Sequence, residues 1–420
     1  MYKFSIFNSR ISLSEKTDLL YNALSDRFML IKKDIQTNDF TNITESSDLH
    51  KELVQGGFAV DINKDEIEAV KSLSNKIIND ESLFYLIINP TLSCNFKCWY
   101  CYETNKPKEF MDESLIHKVK LFIHTQAEKR KSLQISFFGG EPLLGHEHIV
   151  KPLMEYAKAV TTQTGCKLSV GFTTNGFLIN DSLISFWTEN NVTCVQITLD
   201  GNKELHNNTR FPFIGCDTYS VIIQNVKKLL DAKIKVILRF NCTNQNIESF
   251  GETIDDLSAL PNKSHLTIQL HQVWQNANID ITEKVDDLID LFVESGFNAS
   301  RSLFDNVRKP CYGDLKNSAI INYNGDVFKC TAVDFATAKR NGFLNDSGEI
   351  VWENDDLQKC LLCKFTNKPC LKCRLLPICN GACSQKYIQN EGDEFCINNF
   401  DERKKDHVVL DKFKFYISNL

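Results

Sequence analysis

The run LFYLIIN at positions 83–89 is followed, after a short loop, by CNFKCWYC at positions 94–101. The first run is short and mostly apolar, which is typical of a buried strand. The three cysteines, in the spacing C-x3-C-x2-C, therefore lie on a loop directly after that strand. Three thiolates can bind three irons of a [4Fe–4S] cluster and leave the fourth iron open to a small ligand. A redox pair and a zinc site are the alternatives, but structural zinc usually takes four protein ligands.

Strand and helix patterns alternate after this point. Six short apolar runs predict buried parallel strands at 83–89, 133–138, 168–172, 194–199, 235–241 and 266–273. Helical stretches are predicted at 112–130, 146–163, 181–190, 218–232, 247–260 and 282–295. Such β/α units form a parallel sheet with helices outside. Eight units would close a barrel, so six predict an open, partial one.

Polar motifs stand at the ends of the second, third and fourth predicted strands. The second runs into GGEP at 139–142, the third into TTNG at 173–176 and the fourth into TLDG at 198–201. Glycines allow a backbone to approach a ligand closely, and a carboxylate there can pair with an ammonium group. Because functional sites of parallel α/β folds lie at the carboxyl ends of the strands, we expect these motifs to share one pocket with the cysteine loop.

The cysteine spacing, the aromatic residue before the third cysteine and the GGEP motif together resemble the radical S-adenosylmethionine (SAM) enzymes. The resemblance implies a partial (β/α)6 TIM-like barrel, SAM bound to the open iron of a cluster held by Cys94, Cys98 and Cys101, and a 5′-deoxyadenosyl radical as oxidant. It also implies SAM-binding roles for a set of residues, namely Tyr100, Gly139, Gly140, Glu141, Asn175, Thr198, Asp200 and Arg210. Thr198 replaces the usual serine but keeps a hydroxyl. His206 and Arg210 form the pattern H-x3-R. Arg210 is expected to bind SAM or the substrate, or else to form a structural ion pair.

Eight of the sixteen cysteines lie between Cys330 and Cys396. The order C-x13-G-x4-C, then C-x2-C-x5-C-x3-C, then one more cysteine resembles the SPASM domain, which holds two auxiliary [4Fe–4S] clusters. The resemblance assigns Cys311, Cys330 and Cys383 to the first auxiliary cluster. It assigns the remaining four to the second, namely Cys370, Cys373, Cys379 and Cys396. The first cluster then either gains a ligand from Cys360 or Cys363 or keeps an open iron. Two zinc ribbons are the alternative interpretation.

These patterns divide the chain into three predicted domains: an α+β module at 1–82, the barrel at 83–298 and the cluster domain at 299–420, which begins with a less regular segment at 299–310. Strands are predicted at 3–7, 19–24 and 28–31, and a helix at 48–55. A second helix is predicted to follow Asn63 as its cap. The module resembles winged-helix-like modules that bind precursor peptides, often by adding the peptide to an exposed strand. A packing extension that covers the barrel edge is the alternative.

Composition limits the class of partner. The net charge of −6 gives no electrostatic support for nucleic acid binding. The first residues, MYKFSIFNSR, lack the apolar core of a signal peptide, and no run has the 18 apolar residues of a membrane helix. We therefore expect a cytoplasmic protein without a membrane partner. In that compartment thiols stay reduced, so the cysteines are expected to be metal ligands rather than disulfides.

The resemblance covers positions 83 to about 400 and implies an oxidoreductase with SAM and three [4Fe–4S] clusters. The expected substrate is a ribosomally made precursor peptide, as for peptide (RiPP) maturases, with a thioether or carbon–carbon cross-link as product. A flavodoxin or ferredoxin is the expected electron donor. Anaerobic sulfatase maturation to formylglycine and peptide epimerisation are the alternative reactions, and an electron-transfer protein without radical chemistry is the alternative class. The sequence names no proton donor or acceptor.

Overall fold

The computed structural model describes residues 1–35, 40, 43–44, 47–103, 108–276, 278–301, 307–353, 355, 361, 365–381, 383–389 and 394–417. The strands are β1 (Tyr2–Phe4), β2 (Asn8–Ser12), β3 (Thr17–Asn22), β4 (Arg27–Lys32), β5 (Ala59–Asp61), β6 (Leu83–Ile88), β7 (Ser132–Phe137), β8 (Lys167–Thr174), β9 (Val192–Leu199), β10 (Lys235–Cys242), β11 (Leu266–Gln272), β12 (Asn298–Ser300), β13 (Ser318–Ile321), β14 (Asp326–Phe328), β15 (Gly342–Leu344) and β16 (Ile350–Trp352). The helices are α1 (Asp48–Gln55), α2 (Glu66–Ile78), α3 (Glu113–Lys129), α4 (Lys151–Thr164), α5 (Asp181–Glu189), α6 (Lys203–Thr209), α7 (Thr218–Asp231), α8 (Ile254–Ser258), α9 (Thr282–Glu294), α10 (Leu376–Cys379), α11 (Ser384–Gln389) and α12 (Glu402–Ile417).

A parallel sheet with helices between its strands forms the centre of the molecule, as predicted. Strands β6 to β12 pair in chain order and all run parallel. Inward apolar side chains of these strands and of the intervening helices make one continuous core. The sheet order ends at β12 on one side and at β16 on the other, so the described strands form an open sheet rather than a closed barrel.

The segment at 299–310, predicted to be less regular, begins with the end of a short strand. Ala299 and Ser300 belong to β12, which adds a seventh parallel strand next to β11. The strand has only three residues, Asn-Ala-Ser, so it carries no apolar run from which it could be recognised. The packing of β12 beside β11, and not its own sequence, determines its conformation.

The C-terminal region continues the central sheet. Strand β13 pairs in parallel with β6, and β14, β15 and β16 follow as antiparallel neighbours. The predicted cluster domain and the predicted barrel therefore share one eleven-stranded sheet.

The N-terminal module contains two small antiparallel sheets, one of β1 and β5 and one of β2, β3 and β4. Helix α1 has its predicted bounds, but the predicted cap of α2 is wrong. Asp65 is the N-cap, and its side chain accepts a hydrogen bond from the Glu68 backbone N–H. Asn63 and Asp65 both have side chains that can cap a helix, and Asp65 is the one that directly precedes the first helical residue, Glu66.

No helix among the described residues is long and apolar enough to cross a bilayer.

Candidate functional site: a cysteine-lined cavity at the strand ends

The cysteine loop follows β6, at the carboxyl edge of the parallel sheet. Phe96, in the middle of the loop, is almost fully buried in the core and packs against Phe177. The backbone N–H of Lys97 donates to the Phe211 carbonyl at 3.0 Å and joins the loop to the segment after α6. The loop is therefore held from both sides, which orients its three thiols.

Cys94, Cys98 and Cys101 line one cavity of about 290 Å³. The thiols are partly exposed and form no disulfide. Burial raises the pKa of Cys98 to about 11. The Phe96 N–H points at Cys94 Sγ, 3.4 Å away, which is a donor that would stabilise a thiolate.

This donor set fits a [4Fe–4S] cluster with one open iron, because three thiols face a cavity with room for a further ligand. Within the described ranges, no group of three or more His, Cys, Asp or Glu is arranged around a single metal ion. The thiolates of a cubane bind different irons and so lie farther apart than thiolates around one ion.

Gly139 and Gly140 bring the loop after β7 against the loop that leads into Cys94. Gly139 has a φ of +104°, and a Cβ on Gly140 would collide with the carbonyl oxygens of Leu92 and Ser93. The N–H of Gly140 donates to the Thr91 carbonyl at 3.1 Å. Both glycines line the cavity, so backbone atoms of this segment are accessible to a ligand.

The Glu141 side chain is turned into the protein. Its carboxylate accepts hydrogen bonds from Thr174 Oγ1 at 2.7 Å, the Asn175 N–H at 2.8 Å and the Leu143 N–H at 3.0 Å. The residue is fully buried, and burial raises the pKa of its carboxyl group. The carboxylate thus ties the loop after β7 to the loop after β8, whereas the sequence led us to expect it to face an ammonium group.

Asn175 and Thr198, at the ends of β8 and β9, both line the cavity as expected. Asn175 Nδ2 donates to Asn95 Oδ1 at 2.7 Å and lies 4.0 Å from Cys94 Sγ. The third strand's motif is therefore in contact with the cysteine loop.

Tyr100, Asp200 and Arg210 form a buried triad. The Tyr100 hydroxyl donates to Asp200 Oδ2 at 2.7 Å and accepts from Arg210 Nη1 at 2.7 Å. Arg210 Nε lies 3.5 Å from the same carboxylate oxygen. Although burial lowers the pKa of Arg210, nearby Cys98, Tyr100 and Asp200 raise it well above its usual value. Arg210 thus forms an ion pair at the cavity wall, and its predicted contact with SAM or substrate stays a prediction.

His206 supports the triad from behind. The backbone N–H of Asp200 donates to His206 Nδ1 at 3.3 Å, and the ring is fully buried. Burial lowers the pKa of His206 to about 3, so the imidazole is neutral at physiological pH. The H-x3-R pattern therefore places both residues around Asp200.

Sequence reasoning missed the opposite wall of the cavity. That wall is formed by polar and aromatic side chains at the ends of β10 and β11 and by the segment after Cys330, namely Arg239, Asn241, Gln272, Trp274, Gln275 and Thr331. Gln275 Nε2 donates to the Tyr100 carbonyl at 2.7 Å. The one signal available was an arginine between the apolar residues of the strand KVILRFNC.

Six of the C-terminal cysteines are close to at least one cysteine of the same predicted group. Cys370, Cys373, Cys379 and Cys396 line one small pocket. Cys330 interacts electrostatically with Cys383, and its pKa rises to about 11, chiefly through burial. Cys360 and Cys363 lie outside the described residues. The assignment of these groups to clusters stays a prediction.

Tyr102 joins the first cysteine loop to the C-terminal region. Its hydroxyl donates to the Thr331 carbonyl at 3.0 Å, and its ring stacks on Trp274 with centroids 5.8 Å apart. Thr331 directly follows Cys330. One wall of the cavity is therefore supplied by the predicted cluster domain.

The sequence of this chain is similar to a protein-family model and to several known enzymes. Residues 88–257 match the Radical SAM superfamily. The chain is 22% identical over 361 residues to a cysteine-type anaerobic sulfatase-maturating enzyme of Clostridium perfringens, an alignment that covers 76% of this chain and 94% of the relative. It is also 22% identical over 383 residues to the radical SAM cyclopropyl synthase TigE of Paramaledivibacter caminithermalis, with 82% and 78% covered.

Two solved structures share the fold. The structure of anSMEcpe with bound AdoMet and a peptide has a TM-score of 0.61 at 19% identity and covers 80% of this chain and 99% of its own. Streptococcus suis SuiB bound to its precursor peptide SuiA has a TM-score of 0.56 at 16% identity, with 94% and 98% covered. Residues 88–257 therefore form a Radical SAM domain, and the chain as a whole is similar to anaerobic sulfatase-maturating enzymes and to a radical SAM cyclopropyl synthase.

Proposed function

We propose that this chain is a radical SAM peptide maturase that forms a thioether or carbon–carbon cross-link in a ribosomally made precursor peptide. The observation that carries the proposal is the shared cavity, where three thiols face the glycine pair after β7 and the polar ends of β8 and β9. Bound SAM would supply a 5′-deoxyadenosyl radical for hydrogen abstraction.

The residues of the chain would bind and orient these groups. Cys94, Cys98 and Cys101 would hold the cluster, and the backbone at Gly139 and Gly140 would contact the methionine part of SAM. The Tyr100–Asp200–Arg210 triad fixes the loop that carries the cysteines. Two aromatic residues, Tyr102 and Trp274, also line the cavity and would limit the access of water.

The N-terminal module favours a leader-bearing peptide over a folded sulfatase as substrate. Among the described strands, β4 pairs only with β3, so its other edge is available to an added strand. Leu30 on this strand is 61% exposed. The fold similarity to SuiB, whose structure was solved with a precursor peptide, also extends over more of this chain than the similarity to anSMEcpe.

The two C-terminal cysteine groups would hold auxiliary [4Fe–4S] clusters that accept the electron released by cross-linking, and a flavodoxin or ferredoxin would reduce the first cluster. Formation of formylglycine in a sulfatase is the second candidate, because the sulfatase-maturating relatives align over most of this chain.

A mass comparison tests the proposal. The chain is co-expressed anaerobically with the small peptide encoded beside its gene, as wild type and with Cys94, Cys98 and Cys101 replaced by alanine. A loss of two hydrogens, about 2 Da, that depends on these cysteines is expected, and fragmentation would locate the cross-link. A Cys216→Ser variant is the matched control, since Cys216 lies outside the cysteine groups.

Other outcomes separate the alternatives. An unchanged mass with deuterium uptake would identify an epimerase, and conversion of cysteine or serine in a sulfatase peptide would identify a sulfatase maturase. A fully loaded protein that does not cleave SAM to methionine and 5′-deoxyadenosine under reduction would be an electron-transfer protein instead.

A further inference from the structure

Arg239 lies on the wall of the reaction cavity, on a strand that carries none of the SAM-related motifs. On β10 it is in register with Thr198 of β9 and Gln269 of β11. Its side chain lines the same cavity as Cys94 and Cys98. The guanidinium group is thus placed where a bound molecule would react.

Within the described parts of the chain, Arg239 has no carboxylate partner. Its Nε donates to Asn241 Oδ1 at 3.0 Å, which uses one of five N–H groups. Arg210, the other arginine of the cavity, is in contrast paired with Asp200. Asp200 also acts on Arg239 electrostatically, but only Arg210 lies within ion-pair distance of it.

A partly buried cation without an ion-pair partner is unfavourable, which makes the cavity receptive to an anion. Burial lowers the pKa of Arg239 below its usual value. A guanidinium still keeps its proton, and its planar fork of donors matches a carboxylate in a bidentate arrangement. A carboxylate is therefore the ligand chemistry that this position recognises best.

The position on the sheet indicates which molecule supplies the carboxylate. The segments with SAM-related motifs follow β6, β7, β8 and β9, whereas Arg239 lies on the next strand. Its neighbours on that side are Asn241, Gln272 and Trp274, which also line the cavity. Arg239 neighbours Thr198 of β9, but none of the predicted SAM-binding residues lies on β10 or β11, so we assign this part of the cavity to the second reactant.

We propose that Arg239 binds a carboxylate of the peptide substrate, either an acidic side chain or the C-terminus, and so positions the carbon that loses hydrogen. This inference rests on the proposed function as a peptide-modifying enzyme and names a recognition element of its substrate. Asn241 holds the guanidinium in place from the same strand.

The test uses the anaerobically reconstituted holoenzyme and the precursor peptide encoded beside its gene. Each Asp and Glu of the peptide is replaced in turn by Asn or Gln, and one further version carries a C-terminal amide. We expect one of these peptides to be modified at least about tenfold less efficiently by the wild type, a loss typical of one charge-assisted pair. Whether it is a side-chain amide or the C-terminal amide identifies the source of the carboxylate.

The enzyme variants close a double-mutant cycle. Arg239→Gln should cause a similar loss, mainly in KM, and should show no further loss with the sensitive peptide. Arg239→Lys should recover part of the efficiency because it keeps the charge but not the fork. Lys235→Gln, an exposed change on the same strand, is the matched control and should behave as the wild type.

Measurements of SAM binding can overturn the proposal. If Arg239→Gln weakens binding of SAM but not of decarboxylated SAM, the carboxylate belongs to SAM and the proposal is wrong. It is also wrong if every amide-substituted peptide is modified normally by the wild type, a result that does not depend on the folding of any variant. If the wild type binds SAM and cleaves it but leaves the unaltered peptide unmodified, the proposed function fails first, and this inference fails with it.

Discussion

At the scale of single residues, Asp200 is the counter-charge of a buried arginine, and its removal should be costly. Asp200→Asn leaves Arg210 without a carboxylate, and an uncompensated buried charge costs about 3–5 kcal/mol. We expect a loss of about 3 kcal/mol in the free energy of unfolding, measured anaerobically in urea. Asp231→Asn, at an exposed site, should change it by less than about 0.5 kcal/mol. Equal, small effects would show that the triad does not stabilise the fold.

The buried His206 predicts that the free energy of unfolding depends on pH. Its folded-state pKa is about 3, and an unfolded histidine titrates near 6.5. Between these values only the unfolded state takes up the proton, so the stability is complete above about pH 6.5 and falls as the pH drops. The stability advantage of the wild type over His206→Asn should therefore shrink by about 1.4 kcal/mol between pH 8 and pH 5.5. An advantage independent of pH would contradict the prediction.

The control is His117→Asn, which changes an exposed histidine and should parallel the wild type across this pH range.

The site shows which roles the sequence determines. Strand ends and spacing were enough to predict that Asn175, Thr198 and the cysteines meet at one cavity, because that follows from the parallel sheet. The directions of the Glu141 and Asp200 side chains depend on partners far away in sequence and could not be predicted. Arg239 was missed because its significance lies in its place on the cavity wall without an ion-pair partner among the described residues, which only three-dimensional contacts reveal.

At the scale of elements, helix α12 connects the N-terminal module to the C-terminal cysteines. Phe28 of β4 packs on Phe413 with ring centroids 5.2 Å apart, and Lys412 lies 3.0 Å from Asp26. The same core contains Tyr21, Val409 and Cys370. The module therefore packs against the predicted cluster domain.

Phe413→Ala should loosen this contact. Removal of a partly buried ring is expected to cost about 2 kcal/mol, less than a fully buried one. Backbone amides of β3 and β4 should exchange faster by hydrogen-exchange mass spectrometry, while those of β9 stay unchanged. Ile417→Ala, at a half-exposed position of the same helix, should leave both rates as in the wild type. Uniform exchange in all variants would contradict a role for α12 in holding the module.

Long, periodic elements were the predictable ones. Helix α1 has the bounds expected from its sequence, and the six predicted parallel strands are present. Strands β2 and β12 were missed, because NSRIS and NAS have too few apolar residues to show a period of two. Their conformation comes from pairing with β3 and β11, which is tertiary information.

At the scale of the whole molecule, the cysteine groups predict the metal content. Three cubane clusters correspond to about twelve irons per chain. The triple alanine variant of Cys94, Cys98 and Cys101 should retain about eight and lose SAM cleavage, and Cys216→Ser should retain about twelve. Iron and acid-labile sulfide analysis after anaerobic reconstitution measures this. A wild-type content near four would overturn the auxiliary-cluster assignment and leave only the first site.

The pairing of β6 with β13 has a consequence for synthesis on the ribosome. Residues 85–88 of β6 pair with residues 318–321 of β13, so both edges of β6 are paired only after residues 318–321 have been synthesised. At a translation rate of ~5–20 residues per second, that interval lasts more than about ten seconds. During this time the strand that precedes the first cysteine loop has one unprotected edge, which is a template for wrong pairing. The nascent chain should thus be most vulnerable to aggregation before the C-terminal strands emerge, and a chain that stops before residue 318 should keep that vulnerability permanently.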